Sequence, residues 1–203
     1  MAASLTASAQ LNYSGSALSG LDYSSYYSGD AQYVAGTPDV AQLYTADLSV
    51  DGDSPAVFVQ ISAPMTLDSL TASYSTSAGT TVAPYWLIYM TDDTGFTTPI
   101  VSTGSGPLNG SSLIHTGDLT HGSITLSALD TTIDPNSGLE YGDEDIAWVG
   151  LEIGDGGSGS GTANIDSITL SSVPEPTTII SGALMLLPFG VGAFRVLRKS
   201  LRA

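Results

Sequence analysis

The sequence predicts an all-β body, a β-sandwich of jelly-roll type, followed by one C-terminal transmembrane helix. Three observations point there. Between Leu11 and Ser172, Gly, Pro, Ser, Thr and Asp recur too often for apolar residues to keep a helical period over about ten positions. The same stretch holds many short runs rich in β-branched and aromatic residues, bounded by turn-forming clusters, which is the pattern of a sandwich. After Ser172 the texture changes to a proline-bounded spacer and a long charge-free apolar run.

In chain order, the first fifty residues intersperse Tyr13, Tyr23, Tyr26, Tyr27, Tyr33 and Tyr44 with Ser, Gly and Asp, and strands are expected at 31–34 and 41–50. Further strands are expected at 57–61, 67–74, 85–90, 124–126, 146–153 and 165–170. The segments Asp51-Gly52-Asp53, Thr91-Asp92-Asp93-Thr94-Gly95 and Asp134-Pro135-Asn136-Ser137-Gly138 separate them, and such residues favour turns through φ > 0 and local side-chain hydrogen bonds. In the run 146–153, alternation sets Ala147, Val149, Leu151 and Ile153 on one face and Trp148, Gly150 and Glu152 on the other. The glycine-rich stretch 154–161 then reads as a flexible turn that makes this strand and the last one an antiparallel hairpin. No internal repeat is evident, and one domain is the simplest count for the body.

Charge narrows the function. The chain carries 20 Asp or Glu, 4 Lys or Arg and no Cys, for a formal net charge of −16. All four cations, Arg195, Arg198, Lys199 and Arg202, fall at the C-terminal end, so residues 1–194 carry twenty carboxylates and no Lys or Arg. Nucleic-acid binding draws on Lys and Arg neutralising phosphates, and this body has no such residue to offer. P-loop lysine, Schiff-base and arginine-finger chemistry fail for the same reason. Without cysteine there are no disulfides, thiol nucleophiles or thiolate metal sites, although a chain of this length needs no covalent staple.

The C-terminal region is the most informative. Val173-Pro174-Glu175-Pro176 is a stiff extended spacer, because each proline locks its own φ and biases the residue before it to extended geometry. Residues 177–194 follow without a charge, long enough for a short membrane span, and contain the glycines and proline that membrane helices tolerate. The cations directly after it fit the positive-inside rule, which places the basic tail 195–203 in the cytoplasm and the acidic body outside.

This order of Pro-Glu-Pro, apolar helix and Arg-rich end, over about residues 173–202, resembles the PEP-CTERM sorting signal of exported Gram-negative bacterial proteins. The resemblance implies general secretion, transient anchoring in the inner membrane with the body in the periplasm, and recognition by an exosortase-type processing enzyme. Removal of the tail and transfer to the cell surface or the exopolysaccharide matrix would follow. By position, Val173, Pro174, Glu175 and Pro176 form the sorting motif, and Arg195, Arg198, Lys199 and Arg202 set the membrane orientation.

At the other end, Ala7-Ser8-Ala9 has the form of a secretory cleavage site, although no basic n-region or apolar h-region precedes it. Residues 1–9 are therefore expected to be the remnant of a longer signal peptide, with the mature protein starting near Gln10. The organisation that follows is a signal remnant at 1–9, an exported acidic β-sandwich domain at 10–172 and a sorting signal at 173–203.

Candidate chemistry in the body is sparse. Asp51 with Asp53, Asp92 with Asp93, and Asp143 with Glu144 and Asp145 are loop carboxylates of the type that Ca²⁺ takes as ligands, but Asp also favours turns for local reasons and no EF-hand loop is present. No cofactor is assigned, and Ca²⁺ is the one candidate. Tyr85, Leu87 and Tyr89 share one face of a strand, where aromatics can stack on sugar rings, while Trp86, Ile88 and Met90 share the other, with Trp86 expected in the core. His115 and His121 have no motif around them, no Gly-x-Ser-x-Gly elbow or His-Glu-x-x-His is present, and Glu152 reads as an outward-facing strand residue, so no catalytic residue is assigned. Asn12-Tyr13-Ser14 and Asn109-Gly110-Ser111 fit the glycosylation sequon, a short and common pattern.

The sequence thus suggests an exported surface or extracellular-matrix protein with a structural or adhesive body. The alternative is a carbohydrate-binding module using Tyr85 and Tyr89 or a Ca²⁺-bridged sugar, and the second alternative is a polysaccharide-degrading enzyme. The expected partners are the processing enzyme, the inner membrane and extracellular polysaccharide, with no nucleic acid.

Overall fold

The computed structural model describes residues 10–25, 29–49, 54–91, 99–102, 105–109, 119–121, 124–125, 131–134, 137–154 and 158–172. The sorting motif, the apolar run 177–194, the basic tail and residues 1–9 lie outside the described residues. No helix among the described residues is long and apolar enough to cross a membrane.

The strands in chain order are β1 (Gln10–Ser14), β2 (Asp22–Ser24), β3 (Asp30–Val34), β4 (Val40–Thr45), β5 (Ala56–Gln60), β6 (Leu70–Thr76), β7 (Tyr85–Met90), β8 (Ile100–Ser102), β9 (Leu108–Asn109), β10 (Leu119–His121), β11 (Ile124–Thr125), β12 (Ile146–Glu152) and β13 (Gly161–Ser172). Two short 3-10 turns, Gly15–Gly20 and Tyr141–Asp143, are the helical elements among the described residues. The strands form two antiparallel sheets. One is ordered β3-β4-β13-β6-β9 with β1 also on β13, and the other β11-β10-β8-β7-β12-β5-β2.

The length of β13 organises the six-stranded sheet. Its first half pairs with β4 from Gly161↔Thr45 to Ile165↔Ala41, and its second half pairs with β1 from Ser167↔Ser14 to Ser171↔Gln10. A register shift between Ile165 and Ser167 marks where the strand also takes up β6 on its other edge. One twelve-residue strand therefore holds three partners, which ties the N-terminal strand to the end of the body.

The expected hairpin between β12 and β13 does not form: β12 lies between β5 and β7 in one sheet, and β13 lies in the other. The physical reason is edge occupancy. Both edges of β12 are filled along its length by Val57–Val59 and Trp86–Ile88 neighbours, so neither is left for β13, which pairs in the other sheet. Other differences are of extent. The strand expected at 41–50 ends at Thr45, where Thr45 and Asp47 bond each other in a tight turn. The strand expected from residue 67 begins at Leu70, because Leu67 to Leu70 make a turn with Ser69 and Leu70 amides donating back to Thr66 and Leu67. Strands β1, β2, β8, β9 and β10 were not expected, four of them being short pieces of two to three residues or edge strands lacking a long apolar alternation.

The inner faces of the two sheets meet in a single core. Ala41, Leu43, Leu70, Ala72, Ile165, Ile168 and Leu170 come from one sheet, and Val57, Val59, Trp86, Ile88, Ile100, Leu119, Val149 and Leu151 from the other. Trp86 is fully buried, its indole Nε1–H donating to the Gly106 carbonyl at 2.9 Å and its ring meeting Tyr74 of the opposite sheet edge-on at 5.4 Å. In β12 the alternation holds from Val149 to Ile153, but a bulge between Ile146 and Trp148 resets it. Ile146 is therefore buried, whereas Ala147, expected on the inner face, is partly exposed.

Candidate functional site

The outer faces of the two sheets differ in chemistry. That of the six-stranded sheet is a field of small polar side chains in register: Ser14, Ser167 and Ser75 in one row, Asn12, Thr169 and Ser73 in the next, and Gln10, Ser171 and Thr71 in the third. Ser75 and Ser167 share a hydroxyl–hydroxyl bond of 2.7 Å. Such a face offers hydrogen bonds but little area to grip an apolar surface.

The outer face of the seven-stranded sheet is aromatic. In β5, Val57 and Val59 point into the core, so the period of two turns Phe58 outward. In β7, Trp86, Ile88 and Met90 join the core, which turns Tyr85, Leu87 and Tyr89 outward, and in β12 Val149 and Leu151 do the same for Trp148, Gly150 and Glu152. Register then assembles three rows: Gln60–Trp148–Tyr89, Asp22–Phe58–Gly150–Leu87, and Ser24–Ala56–Glu152–Tyr85. Four aromatic side chains from three adjacent strands share this face.

Gly150 sets the relief of the platform. A Cβ added there would lie 2.4 Å from both Cδ1 and Cε1 of Phe58, so the Phe58 ring lies across the strand in the space that a side chain at 150 would fill. The ring meets Tyr89 edge-on at 5.9 Å and 62°. Leu87, at 3% exposure, and Tyr89, at 8%, are buried yet outside the central core, so this face has an apolar floor of its own. Tyr85, Phe58 and Trp148 remain partly exposed around it. At one margin the Tyr85 hydroxyl donates to Glu152 Oε1 at 2.5 Å, which holds the carboxylate in place on the sheet, while Gln60 and Asp22 are exposed at the others.

The structure thus brings Tyr85 and Tyr89 together on one outer face with Glu152 beside them, and places Trp86 in the core, as expected. Sequence reasoning set Trp148, Gly150 and Glu152 on one face without joining them to the tyrosines, and passed over Phe58, Gln60 and Asp22. The alternation Val57-Phe58-Val59 was a signal for Phe58; the neighbourhood of three non-consecutive strands was not visible in any window.

The acidic segment Asp143-Glu144-Asp145 does not converge. Glu144 turns inward to 2% exposure and accepts from Ser137 Oγ, while Asp143 and Asp145 are exposed, and among the described residues no three His, Cys, Asp or Glu side chains are grouped to hold a metal ion. Asp51, Asp53, Asp92, Asp93 and His115 lie outside the described residues. His121 sits on β10 with its ring 5.1 Å from Tyr141. Asn12 is exposed on the polar face and Asn109 lies in β9.

No family model and no curated protein matches this chain. Among solved structures, a family 11 carbohydrate-binding module from Clostridium thermocellum in complex with a β-1,3-1,4-mixed-linked tetrasaccharide is similar with a TM-score of 0.40 and 19% identity, over 79% of this chain and 87% of that one. The family 11 module of the Clostridium thermocellum cellulosomal cellulase Lic26A-Cel5E aligns with a TM-score of 0.41 and 17% identity, over 82% and 89%. An exo-β-agarase aligns with a TM-score of 0.39 and 12% identity, over 74% of this chain and 23% of that one. All three are distant likenesses.

Proposed function

We propose that the body is a polysaccharide-binding domain that grips its ligand on the outer face of the seven-stranded sheet. The observation that carries this is the placement of the partly exposed Phe58, Tyr85 and Trp148 on one face, around a floor made by Leu87, Tyr89 and Gly150. Aromatic rings bury large apolar area with few rotatable bonds, and tyrosine and tryptophan add a polar handle. The C–H faces of sugar rings suit such a surface, while Glu152, Gln60 and Asp22 offer acceptors and a donor for sugar hydroxyls at its margins. A shallow platform of this kind suits an extended chain better than a small molecule, which binds in a concave site.

In this reading the structural or adhesive role suggested by the sequence is exercised through polysaccharide binding, on a sandwich of jelly-roll type. Consecutive strands such as β12 and β13 lie in opposite sheets, which supports that topology. Export and sorting through Val173-Pro174-Glu175-Pro176 and the following apolar run belong to the same proposal, resting on the PEP-CTERM resemblance.

Affinity electrophoresis of the full chain through gels containing soluble neutral glucans tests the binding site. Retardation that is abolished by Phe58→Ala and by Tyr85→Ala, with the melting temperature held within a few degrees, is the expected result. Retardation unchanged in both variants would place binding elsewhere, and no retardation by any glycan tried would remove the reading.

A further inference from the structure

The platform carries a charge pattern that sugar stacking alone does not require. Glu152 and Asp22 both lie on the outer face, two strands and one two-residue step apart, so their backbone positions are roughly 12 Å from one another. The Phe58 ring lies between those strands, across Gly150. No Lys or Arg occurs anywhere in residues 1–194, which carry twenty carboxylates, so the potential around this face is negative.

Three classes of polysaccharide respond differently to such a face. An anionic chain is repelled. A neutral chain gains stacking and hydrogen bonds only. A chain of hexosamines bearing free, protonated amines gains both of these and, in addition, ammonium–carboxylate hydrogen bonds, which are stronger than neutral ones. An ammonium group over a tyrosine, tryptophan or phenylalanine ring is attracted by the ring quadrupole as well. We infer that the ligand of this face is a cationic amino-polysaccharide, an N-deacetylated hexosamine chain, with the Glu152 carboxylate receiving an ammonium group beside the Phe58 and Tyr85 rings. This inference rests on the platform being the glycan-binding site.

The hydrogen bond from Tyr85 gives Glu152 a fixed position from which to discriminate. A carboxylate pinned to the sheet distinguishes one sugar substituent from another, whereas the summed charge of the body attracts any polycation at any point. That difference makes the inference testable by a single isosteric substitution.

The test is isothermal titration of the full chain, in a non-ionic detergent without a sugar head group, with a β-1,4-linked glucosamine hexamer and with its N-acetylated counterpart. The pH is set at 5.5 so that amines are protonated and carboxylates ionised. The expected result is a preference for the amine form of about tenfold or more in low salt, the size of one charge-assisted bond. The preference should shrink as the Debye length falls from ~30 Å at 0.01 M salt to ~10 Å at 0.1 M. Glu152→Gln, which keeps the shape of the side chain, should cut the preference at least fivefold, whereas Asp30→Asn, on the edge of the opposite sheet, should not change it. Equal affinity for the two hexamers overturns the inference. So does a preference equally sensitive to Asp30→Asn and Glu152→Gln, which would assign it to the diffuse charge of the body. If the N-acetylated hexamer binds and Phe58→Ala abolishes that binding while the amine form shows no advantage, the platform stands and only the cationic ligand class falls. If neither hexamer nor any neutral glucan binds, both fall.

Discussion

The contact between Gly150 and the Phe58 ring yields a quantitative prediction that links the fold to the platform. Replacing Gly150 by Ala puts a methyl carbon 2.4 Å from two atoms of the Phe58 ring and 3.1 Å from the Val57 carbonyl oxygen. Carbon atoms settle at about 3.5–4.0 Å, so the ring must retreat by roughly 1–1.5 Å. That movement lifts it off the strand and disturbs its edge-on contact with Tyr89. Overpacking of this kind costs about 1–3 kcal/mol. Against it stands a gain of about 0.4–1 kcal/mol from the reduced freedom of the unfolded chain. In a Phe58→Ala background the ring is absent and only the tighter carbonyl approach remains, so the same Gly150→Ala change should be close to neutral. The expected coupling between the two sites is therefore about 1–2 kcal/mol. A double-mutant cycle by urea unfolding measures it; with m-values of about 1–3 kcal/mol/M the single Gly150→Ala variant should lose roughly 0.5–1 M in midpoint. Equal destabilisation in both backgrounds would assign the clash to the Val57 carbonyl and refute the account of the reclining ring. No destabilisation in either would show that the ring does not occupy that space.

Three other outcomes follow from the same reasoning. Trp86→Ala empties a fully buried site and strands the Gly106 carbonyl, so it should cost about 3–5 kcal/mol, and a loss under 1 kcal/mol by chemical unfolding would contradict the central placement of this ring. The Tyr23 hydroxyl, bonded to the Leu18 carbonyl at 2.8 Å, is pushed up to about 12, first by burial and then by Tyr33. Its protonated form is thus favoured in the folded state, and the associated stability is intact below pH 10, the unfolded value, and lost as pH rises to about 12. Urea midpoints should fall across that window, and Tyr23→Phe should flatten the fall. For sorting, Pro174→Ala with Glu175→Ala should leave the C-terminal segment attached in the producing cell, as read by intact mass of the exported protein, while the unaltered protein loses it; identical masses would count against the sorting reading.

What could be read without a structure follows from the range of the interactions involved. The period of two is local, so eight strands are recognisable in outline, and 85–90 has its observed bounds. Turn chemistry is local as well. The inward position of Trp86 and the outward position of Glu152 follow from alternation alone once the strand is recognised. The short pieces β2, β8, β9 and β10 span two or three residues each, too few for any period to register; β2, β8 and β9 exist because the longer β5, β7 and β6 offer them an edge, and β10 adds to β8. The bulge in β12 shifted Ala147 away from its expected face for a reason that lies in the partner strand β7.

By itself the sequence determined the all-β character of the body and its charge, twenty carboxylates and no Lys or Arg over residues 1–194, because composition and short-range periodicity suffice for both. It also raised the sorting resemblance, which is carried by linear order. Only the tertiary structure decided strand partnership. It separated β12 from β13, and it brought Phe58, Tyr85, Tyr89, Trp148 and Glu152 from three strands onto one face. The reason is that pairing is settled by competition for edges among strands far apart in the chain, 92 positions for Phe58↔Gly150 and 161 for Gln10↔Ser171, and no sequence window spans that competition.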